Sequence, residues 1–213
     1  MKDPHPLDSF NLSELSRLAL DGRPWANWYC EAWFAIESIC TPRHWDSVRF
    51  ACALSALSPR VAVKRNVGLM AALTRGEDRQ GLTATWDKAH TIWFNADVGH
   101  QWASKMLTTA DELPPGQAYK TACFAANLTG HHEPVTIDSW MMRAFRTPLK
   151  MMSSRPFYVG ATKAIQTVAD GCGMTPAACQ SAIWHAYAFE NGRQTMGNFC
   201  ELLLGENWGA YDN

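Results

Sequence analysis

The sequence predicts an all-α protein, and its apolar pattern carries that prediction. Apolar residues recur at helical spacing along successive segments, the first set being Trp25, Trp28, Tyr29, Ala32, Trp33, Ile36 and Ile39. No segment of useful length alternates apolar and polar residues as a half-buried strand would. The periodic segments end at pairs of helix-breaking or turn-forming residues, such as Ser58-Pro59 and Asn191-Gly192.

The first half of the chain contains three well-marked helical segments. Residues 24–40 have the spacing given above. Residues 45–57 are apolar on more than one face, which indicates a central buried helix that stops at Ser58-Pro59. Residues 60–74 are amphipathic and end at Arg75-Gly76, a cation and a glycine suited to a helix C-terminus.

Shorter helices are predicted along the rest of the chain. They cover residues 83–94 and 99–107, a helical hairpin at about 107–129, a helix opening at Asp138, residues 156–169, a helix from Thr175-Pro176 to Asn191-Gly192, and residues 195–204. Thr175-Pro176 is a strong start signal, because threonine caps a helix and proline suits its first turn. We find no repeat and no linker, so residues 1–213 are expected to form one domain.

Composition indicates an ordinary soluble globular protein. The chain has 213 residues, 47% of them hydrophobic and 18% charged, and no apolar run long enough to span a membrane. Its seven cysteines are scattered through apolar helical patterns, which favours buried, reduced thiols in a cytoplasm. Most of the ten tryptophans are expected to lie in the core. We expect a monomer without cofactor or metal.

The net charge of −1 argues mildly against tight, non-specific binding to nucleic acid, for which a basic excess is usual. Two local clusters of basic residues soften that objection. They are Arg60, Lys64, Arg65, Arg75 and Arg79 in one segment, and Arg143, Arg146, Lys150 and Arg155 in another. A solvated helix face is the simpler interpretation of any single member.

The most informative stretch is residues 113–145, LPPGQAYKTACFAANLTGHHEPVTIDSWMMRAF. It predicts a turn, a helix opening near Lys120, a Gly/His/Pro break, and a second helix opening at Asp138. One hairpin-like unit would bring this amine and carboxylate together. Lys120 near a helix start is expected to have a lowered pKa, which a nucleophilic amine needs. The simpler alternatives are a solvated surface lysine and an aspartate that only caps its helix.

This stretch resembles the helix-hairpin-helix DNA glycosylase superfamily, whose members show LPGVGxKTA followed by a VDxHxxR-type segment. The matching residues here are Leu113-Pro114, Gly116, Lys120-Thr121-Ala122, residues 135–140 and Arg143. The similarity extends to LSALSPRVAVKRN at residues 54–66, which is similar to an early glycosylase helix and the turn that lies against DNA. It also extends to a closing helix with Tyr158, Gly173, Pro176, Gln180 and Trp184, so it covers roughly residues 25–190.

The resemblance implies two helical lobes with an active site between them. It implies that Lys120 attacks the sugar of a nucleotide whose base is extruded from double-stranded DNA, and that Asp138 assists departure of the base. A Schiff base on Lys120 would permit strand cleavage. The residues that would contact DNA or substrate are Arg60, Asn66, Gly116, Gln117, Trp140 and Arg143.

Two positions depart from the family pattern. The hairpin, residues 114–118, keeps one glycine of the usual two, and Trp140 stands where many glycosylases have histidine. The cysteines do not form a four-cysteine iron–sulfur signature, and His131-His132-Glu133 is interpreted as a polar loop. Two other functions remain open: a phage-type transferase that attaches an amino acid or amine to hydroxymethylpyrimidine bases, and a non-catalytic DNA-binding or DNA-mimicking module.

Overall fold

The computed structural model describes residues 10–95, 97–98, 101, 119–193 and 199–208. These residues contain helices and no strand, which confirms the all-α prediction. The helices with described bounds are α1 (Leu12–Asp21), α2 (Trp28–Cys40), α3 (Ser47–Leu57), α4 (Val63–Thr74), α5 (Thr83–Phe94), α6 (Tyr119–Leu128), α7 (Ser139–Ala144), α8 (Arg155–Cys172), α9 (Pro176–Glu190) and α10 (Phe199–Leu204).

The helices pack in two groups that α2 joins. In the first group α4, α5 and α6 pack against α3. In the second group α1, α7 and α8 pack against α9. Helix α2 contacts α3 and α6 on one side and α9 on the other, and α10 packs against α2 and α4. The segment that joins α6 to α7 therefore crosses from one group to the other.

Helix α3 is the central buried helix that its sequence predicts. Every residue from Phe50 to Leu57 is buried, and Asp46 caps the helix by accepting a hydrogen bond from the Arg49 backbone N–H. The Ser55 hydroxyl donates to the Thr121 carbonyl at 2.7 Å, so a polar contact ties α3 to α6 inside the core. This bond satisfies a hydroxyl that would otherwise be costly to bury.

Several helix boundaries differ from the sequence prediction. Helix α1 was not predicted, although Asn11 caps it and its buried residues, Leu15, Leu18 and Ala19, follow helical spacing. Residues 23–25 form a 3-10 turn before α2 begins at Trp28. The third predicted helix begins at Val63 and not at residue 60.

The helix before the turn from α8 to α9 is longer than the predicted residues 156–169. Helix α8 continues to Cys172 and stops at Gly173, whose φ of 63° lies in the left-handed region that glycine adopts without strain. Thr175 then caps α9 as predicted, because its hydroxyl accepts a hydrogen bond from the Ala178 N–H.

Most of the described tryptophans lie in the core or pack against it, as the sequence predicts, but few are fully buried. Only Trp86, Trp93 and Trp208 among these are buried, and Trp25 is exposed. The others described are half-buried, namely Trp28, Trp33, Trp45, Trp140 and Trp184. An indole has one polar edge, so partial burial leaves its N–H available for a partner.

All seven cysteines are free thiols. Cys40, Cys52, Cys123 and Cys179 are buried, as predicted, whereas Cys30, Cys172 and Cys200 are only partly buried. In the described part of the chain, no helix combines the length and the apolar character that crossing a bilayer requires.

Candidate active site

Asp138 is placed by a short extended segment that precedes α7. The buried hydroxyl of Tyr158 donates to the Val135 carbonyl at 2.8 Å and accepts from the Ile137 N–H at 3.1 Å. Thr136, between them, donates its hydroxyl proton to Asn127 Oδ1 at 2.7 Å. The backbone that leads to Asp138 is thus fixed from two sides before α7 begins.

Asn127 connects the end of α6 to this segment. Its side chain is fully buried, and its amide nitrogen donates to the carbonyls of His131 and Pro134 at 2.9 and 2.8 Å. Donors and acceptor of the amide are all used, which is the usual condition for burying such a group. Hydrogen bonds to Asn127 therefore fix the loop from α6 to Asp138, which connects the two groups of helices.

The carboxylate of Asp138 has three hydrogen-bond donors. Oδ1 accepts from the backbone N–H groups of Trp140 and Met141 at 2.8 and 3.0 Å, which confirms the predicted helix cap. Oδ2 accepts from the indole N–H of Trp184 on α9 at 2.9 Å. Both oxygens are therefore oriented, one by its own helix and one by a neighbouring helix.

Lys120 lies on the second described residue of α6, and its amine points to the end of α3. Nζ donates to the Ser58 hydroxyl at 2.7 Å and lies 3.4 Å from the Ser58 carbonyl oxygen. The amine is also 5.4 Å from the centre of the Phe124 ring. These contacts show that the amine is not the fully solvated surface head group of the simpler alternative.

The structure brings Lys120 and Asp138 into one electrostatic environment without pairing them. Burial lowers the pKa of the Lys120 amine, and the negative charge of Asp138 raises it to a smaller extent. No ion pair joins these two described side chains. The prediction from the sequence attributed the lowered pKa of Lys120 to the start of the helix. In the structure, burial is the cause.

Tyr29 of α2 lies beside the same segment. Its hydroxyl donates to Gln180 Oε1 on α9 at 2.7 Å. Burial raises the pKa of this phenol, and the charge of Asp138 raises it further. The phenol consequently remains protonated at neutral pH, as a hydrogen-bond donor next to the Asp138 segment.

Two guanidinium groups lie close to the ring of Trp140. The Arg143 guanidinium carbon is 4.4 Å from the indole centre and that of Arg193, from the end of α9, is 4.9 Å away. Both arginines are exposed and Trp140 is half-buried. This cluster lies two residues from Asp138 and combines an aromatic ring with two positive charges.

Arg60 is exposed in the turn between α3 and α4, three residues before α4 begins, and not at the start of a helix as the prediction for residues 60–74 had it. Its φ of 63° is left-handed, which is strained for arginine. Asn66 is buried on α4, and no described donor reaches its Oδ1.

Gly116 and Gln117, the predicted hairpin contacts, lie outside the described residues. The structure brings some of the remaining sequence-predicted residues together and leaves others apart. Lys120 and Asp138 share one environment, Trp140 and Arg143 contact each other beside it, and Arg60 belongs to the turn whose Ser58 holds Lys120. No hydrogen bond or ion pair in the described structure joins Asn66 to either Lys120 or Asp138.

Sequence reasoning missed the roles of three residues. Ser58 was assigned to a DNA-facing turn and Trp184 to a family pattern, but their contacts with Lys120 and Asp138 were not predicted. Arg193 was not singled out at all. Within the described residues, no group of three or more histidine, cysteine, aspartate or glutamate side chains is arranged to hold a metal ion.

Comparison with known proteins gives one match. The model of a family of unknown function, DUF7178, covers residues 19–192, which includes Lys120, Asp138 and Trp184. Neither a curated protein nor a solved structure matches the chain.

Proposed function

We propose that this chain, which belongs to the DUF7178 family of unknown function, is a DNA glycosylase with lyase activity. One arrangement supports this proposal above the others. An amine whose pKa is lowered by burial lies in the field of a carboxylate that three donors hold in place, and no ion pair joins the two groups. A nucleophile and a charge stabiliser need to be close yet unpaired.

In the proposed reaction the Lys120 amine attacks C1′ of an extruded nucleotide. The bond from C1′ to the base breaks, and the base leaves with the bonding electrons and takes up a proton. Asp138 stabilises the positive charge that develops on the sugar, because its orientation is already fixed by Trp140, Met141 and Trp184. Opening of the sugar then gives a Schiff base on Lys120.

Strand cleavage follows from the Schiff base by β-elimination. A proton leaves C2′, the C3′–O bond breaks, and the 3′ phosphate departs. Ser58 has a positioning role in this scheme, since its hydroxyl and carbonyl oxygens orient the amine from the end of α3. An amine held in this way loses little rotational freedom when it reacts.

DNA contact is proposed for the Trp140 cluster and for the Ser58-Pro59-Arg60 turn. Arg143 and Arg193 flank Trp140 on the surface and are suited to phosphate oxygens, and the turn directly follows the residue that holds Lys120. These local charges would compensate for the net charge of −1.

A duplex with a single abasic site is the probe that tests the chemistry without requiring the target base to be known. Under the proposal, borohydride reduces the Schiff base and leaves a covalent protein–DNA adduct, seen as a band of lower mobility on a denaturing gel. Absence of any adduct over a range of pH and salt would contradict lyase chemistry.

Mass spectrometry of nucleosides then separates glycosylase from transferase activity on DNA with ordinary and modified bases. Release of a free base supports the glycosylase. A base of increased mass would support the transferase, and DNA binding with neither product would support a non-catalytic module.

Arg60 gives a prediction that separates strain from function. Replacing Arg60 with glycine should remove the guanidinium and also relieve the left-handed backbone, raising the free energy of unfolding by about 1 kcal/mol relative to Arg60→Ala. Both variants should lose the fluorescence gain of a 2-aminopurine placed beside the target nucleotide. Without a guanidinium to fill the vacated stack, the target nucleotide is extruded less, so the 2-aminopurine stays stacked.

Arg65→Ala, which removes an exposed guanidinium on α4, is the matched control and should keep that fluorescence gain. An undiminished response in both Arg60 variants would remove this turn from the DNA-facing surface.

A further inference from the structure

A cavity of about 380 Å³ lies between the start of α2 and the turn from α8 to α9. Its polar lining residues are Arg23, Asn27, Tyr29, Cys30, His132 and Thr175, and its other lining residues are small or apolar. Neither Lys120 nor Asp138 lines it. A volume of this size suits a small molecule of metabolite dimensions.

The residues that line this cavity include a positive charge and no negative charge. No aspartate or glutamate is among the lining residues, although the chain has 20 acidic residues. Arg23 donates from Nη2 to the Cys172 carbonyl at 2.7 Å, which anchors the guanidinium and leaves its other nitrogens free to donate. No described carboxylate forms an ion pair with Arg23. Arg23 is exposed where it lines the cavity, and an anchored guanidinium with no described counterion favours an anionic occupant.

The lining of this cavity includes a thiol next to an imidazole. Cys30 Sγ lies 3.9 Å from His132 Nε2. His132 is held by its backbone, because its carbonyl accepts from the Ala177 N–H at 3.0 Å, and Asn127 fixes the carbonyls on both sides of it. The ring nitrogens of His132 can accept a hydrogen bond from the thiol or donate one to an anion, according to the tautomer.

Two helices also begin at this cavity. Asn27 precedes α2 and its side chain makes no capping bond, and Thr175 precedes α9. The positive ends of both helix dipoles add to the charge of Arg23.

We infer that this cavity binds a small molecule bearing a carboxylate or phosphate group, with Arg23 and His132 as its polar partners and Cys30 within reach of the bound molecule. The site is independent of the proposed reaction with DNA, so its test uses the thiol and no nucleic acid.

Two alkylating agents of similar size test the inference, since iodoacetate is an anion and iodoacetamide is neutral. In each reaction the thiolate sulfur attacks the CH₂ carbon, the C–I bond breaks, and iodide leaves. Rates at each cysteine are followed by peptide mass spectrometry. The ratio of the iodoacetate rate to the iodoacetamide rate at Cys30 should exceed that of a small neutral thiol in free solution by about tenfold. Cys172 is not a suitable reference, because its carbonyl holds the Arg23 guanidinium.

Five other thiols should react slowly with both agents, so their reactions should not obscure the reaction at Cys30. Burial raises the pKa of Cys40, Cys52 and Cys179 to about 12 and that of Cys123 and Cys200 to about 11.

Substitutions and competitors complete the test. Arg23→Gln should remove the preference for iodoacetate, whereas Lys163→Gln, which removes an exposed charge on α8, should keep it. His132→Gln should slow both agents at Cys30, and His131→Gln, on the exposed neighbour, should not. Circular dichroism confirms that each variant is folded.

Inorganic phosphate and acetate, compared at constant ionic strength, identify the anionic group. Protection of Cys30 by phosphate alone indicates a phosphate-bearing ligand, and protection by acetate indicates a carboxylate. The inference is overturned if Cys30 shows the same rate ratio as the small neutral thiol, if Arg23→Gln keeps the preference, or if neither anion protects Cys30.

Discussion

Replacing Lys120 with alanine is expected to abolish borohydride trapping on an abasic duplex, a loss of at least about a thousandfold. The amine is the proposed nucleophile, and the neighbouring groups, Ser58 and Phe124, cannot form a Schiff base. Lys150→Ala, which removes an exposed lysine, is the matched control and should trap normally. Trapping by the Lys120 variant at the wild-type rate would exclude this residue from the reaction.

The pH dependence of trapping should follow the lowered pKa of Lys120. Only the neutral amine attacks, so the rate should rise with pH through a pKa below 10.5, the ordinary value for lysine, and then level off. Arginine at position 120 keeps the positive charge and cannot become a nucleophile, so Lys120→Arg should be inactive at every pH.

Stability provides an independent measurement of the same pKa. A lysine whose pKa is lower in the folded state binds fewer protons there than in the unfolded chain. The free energy of unfolding should therefore rise with pH between the folded-state pKa and 10.5, relative to Lys120→Met, which has no titrating amine. Urea unfolding of both proteins across this range measures the difference, and parallel pH profiles would show that the amine is not perturbed.

Replacing Asp138 with asparagine is expected to lower the rate of base release or trapping by about a hundredfold or more, since the stabilising charge is lost. The asparagine Oδ1 can still accept from the N–H groups of Trp140 and Met141, so most of the helix cap survives. The amide nitrogen would then face the indole N–H of Trp184, and two donors would meet. A further loss of about 1 kcal/mol of stability is expected from that contact.

Trp184→Phe provides the control for this second effect. It removes the indole donor, so Asp138→Asn should cost less stability in the Trp184→Phe background than in the wild type, while activity should stay low in both. Urea unfolding of the four proteins forms a double-mutant cycle. A variant at position 138 that unfolds early but reacts at the normal rate would show that Asp138 is only a cap.

The sequence by itself determined the helical character of the chain and the local role of Asp138. Apolar spacing placed α5 at its observed bounds, and the residue types at Asp138 and at Thr175-Pro176 predicted two of the caps. These features depend on neighbours within one or two turns of helix, and such interactions can be read directly from a linear sequence.

Local patterns were less informative where the backbone departs from a helix. The helical spacing of residues 60–74 gave no sign that Arg60 adopts a left-handed conformation, nor that α4 begins only at Val63. In the same way, the count of tryptophans did not show that several keep an exposed edge, because exposure depends on which helices cover them.

The tertiary structure decided what surrounds the two central residues. Ser58 is 62 positions from Lys120 and Trp184 is 46 positions from Asp138, and each pair meets only because α3 packs on α6 and α9 packs on α7. The burial that lowers the pKa of Lys120 has the same origin. Desolvation and long-range hydrogen bonds are properties of the packed interior, so they exist only once the helices have assembled.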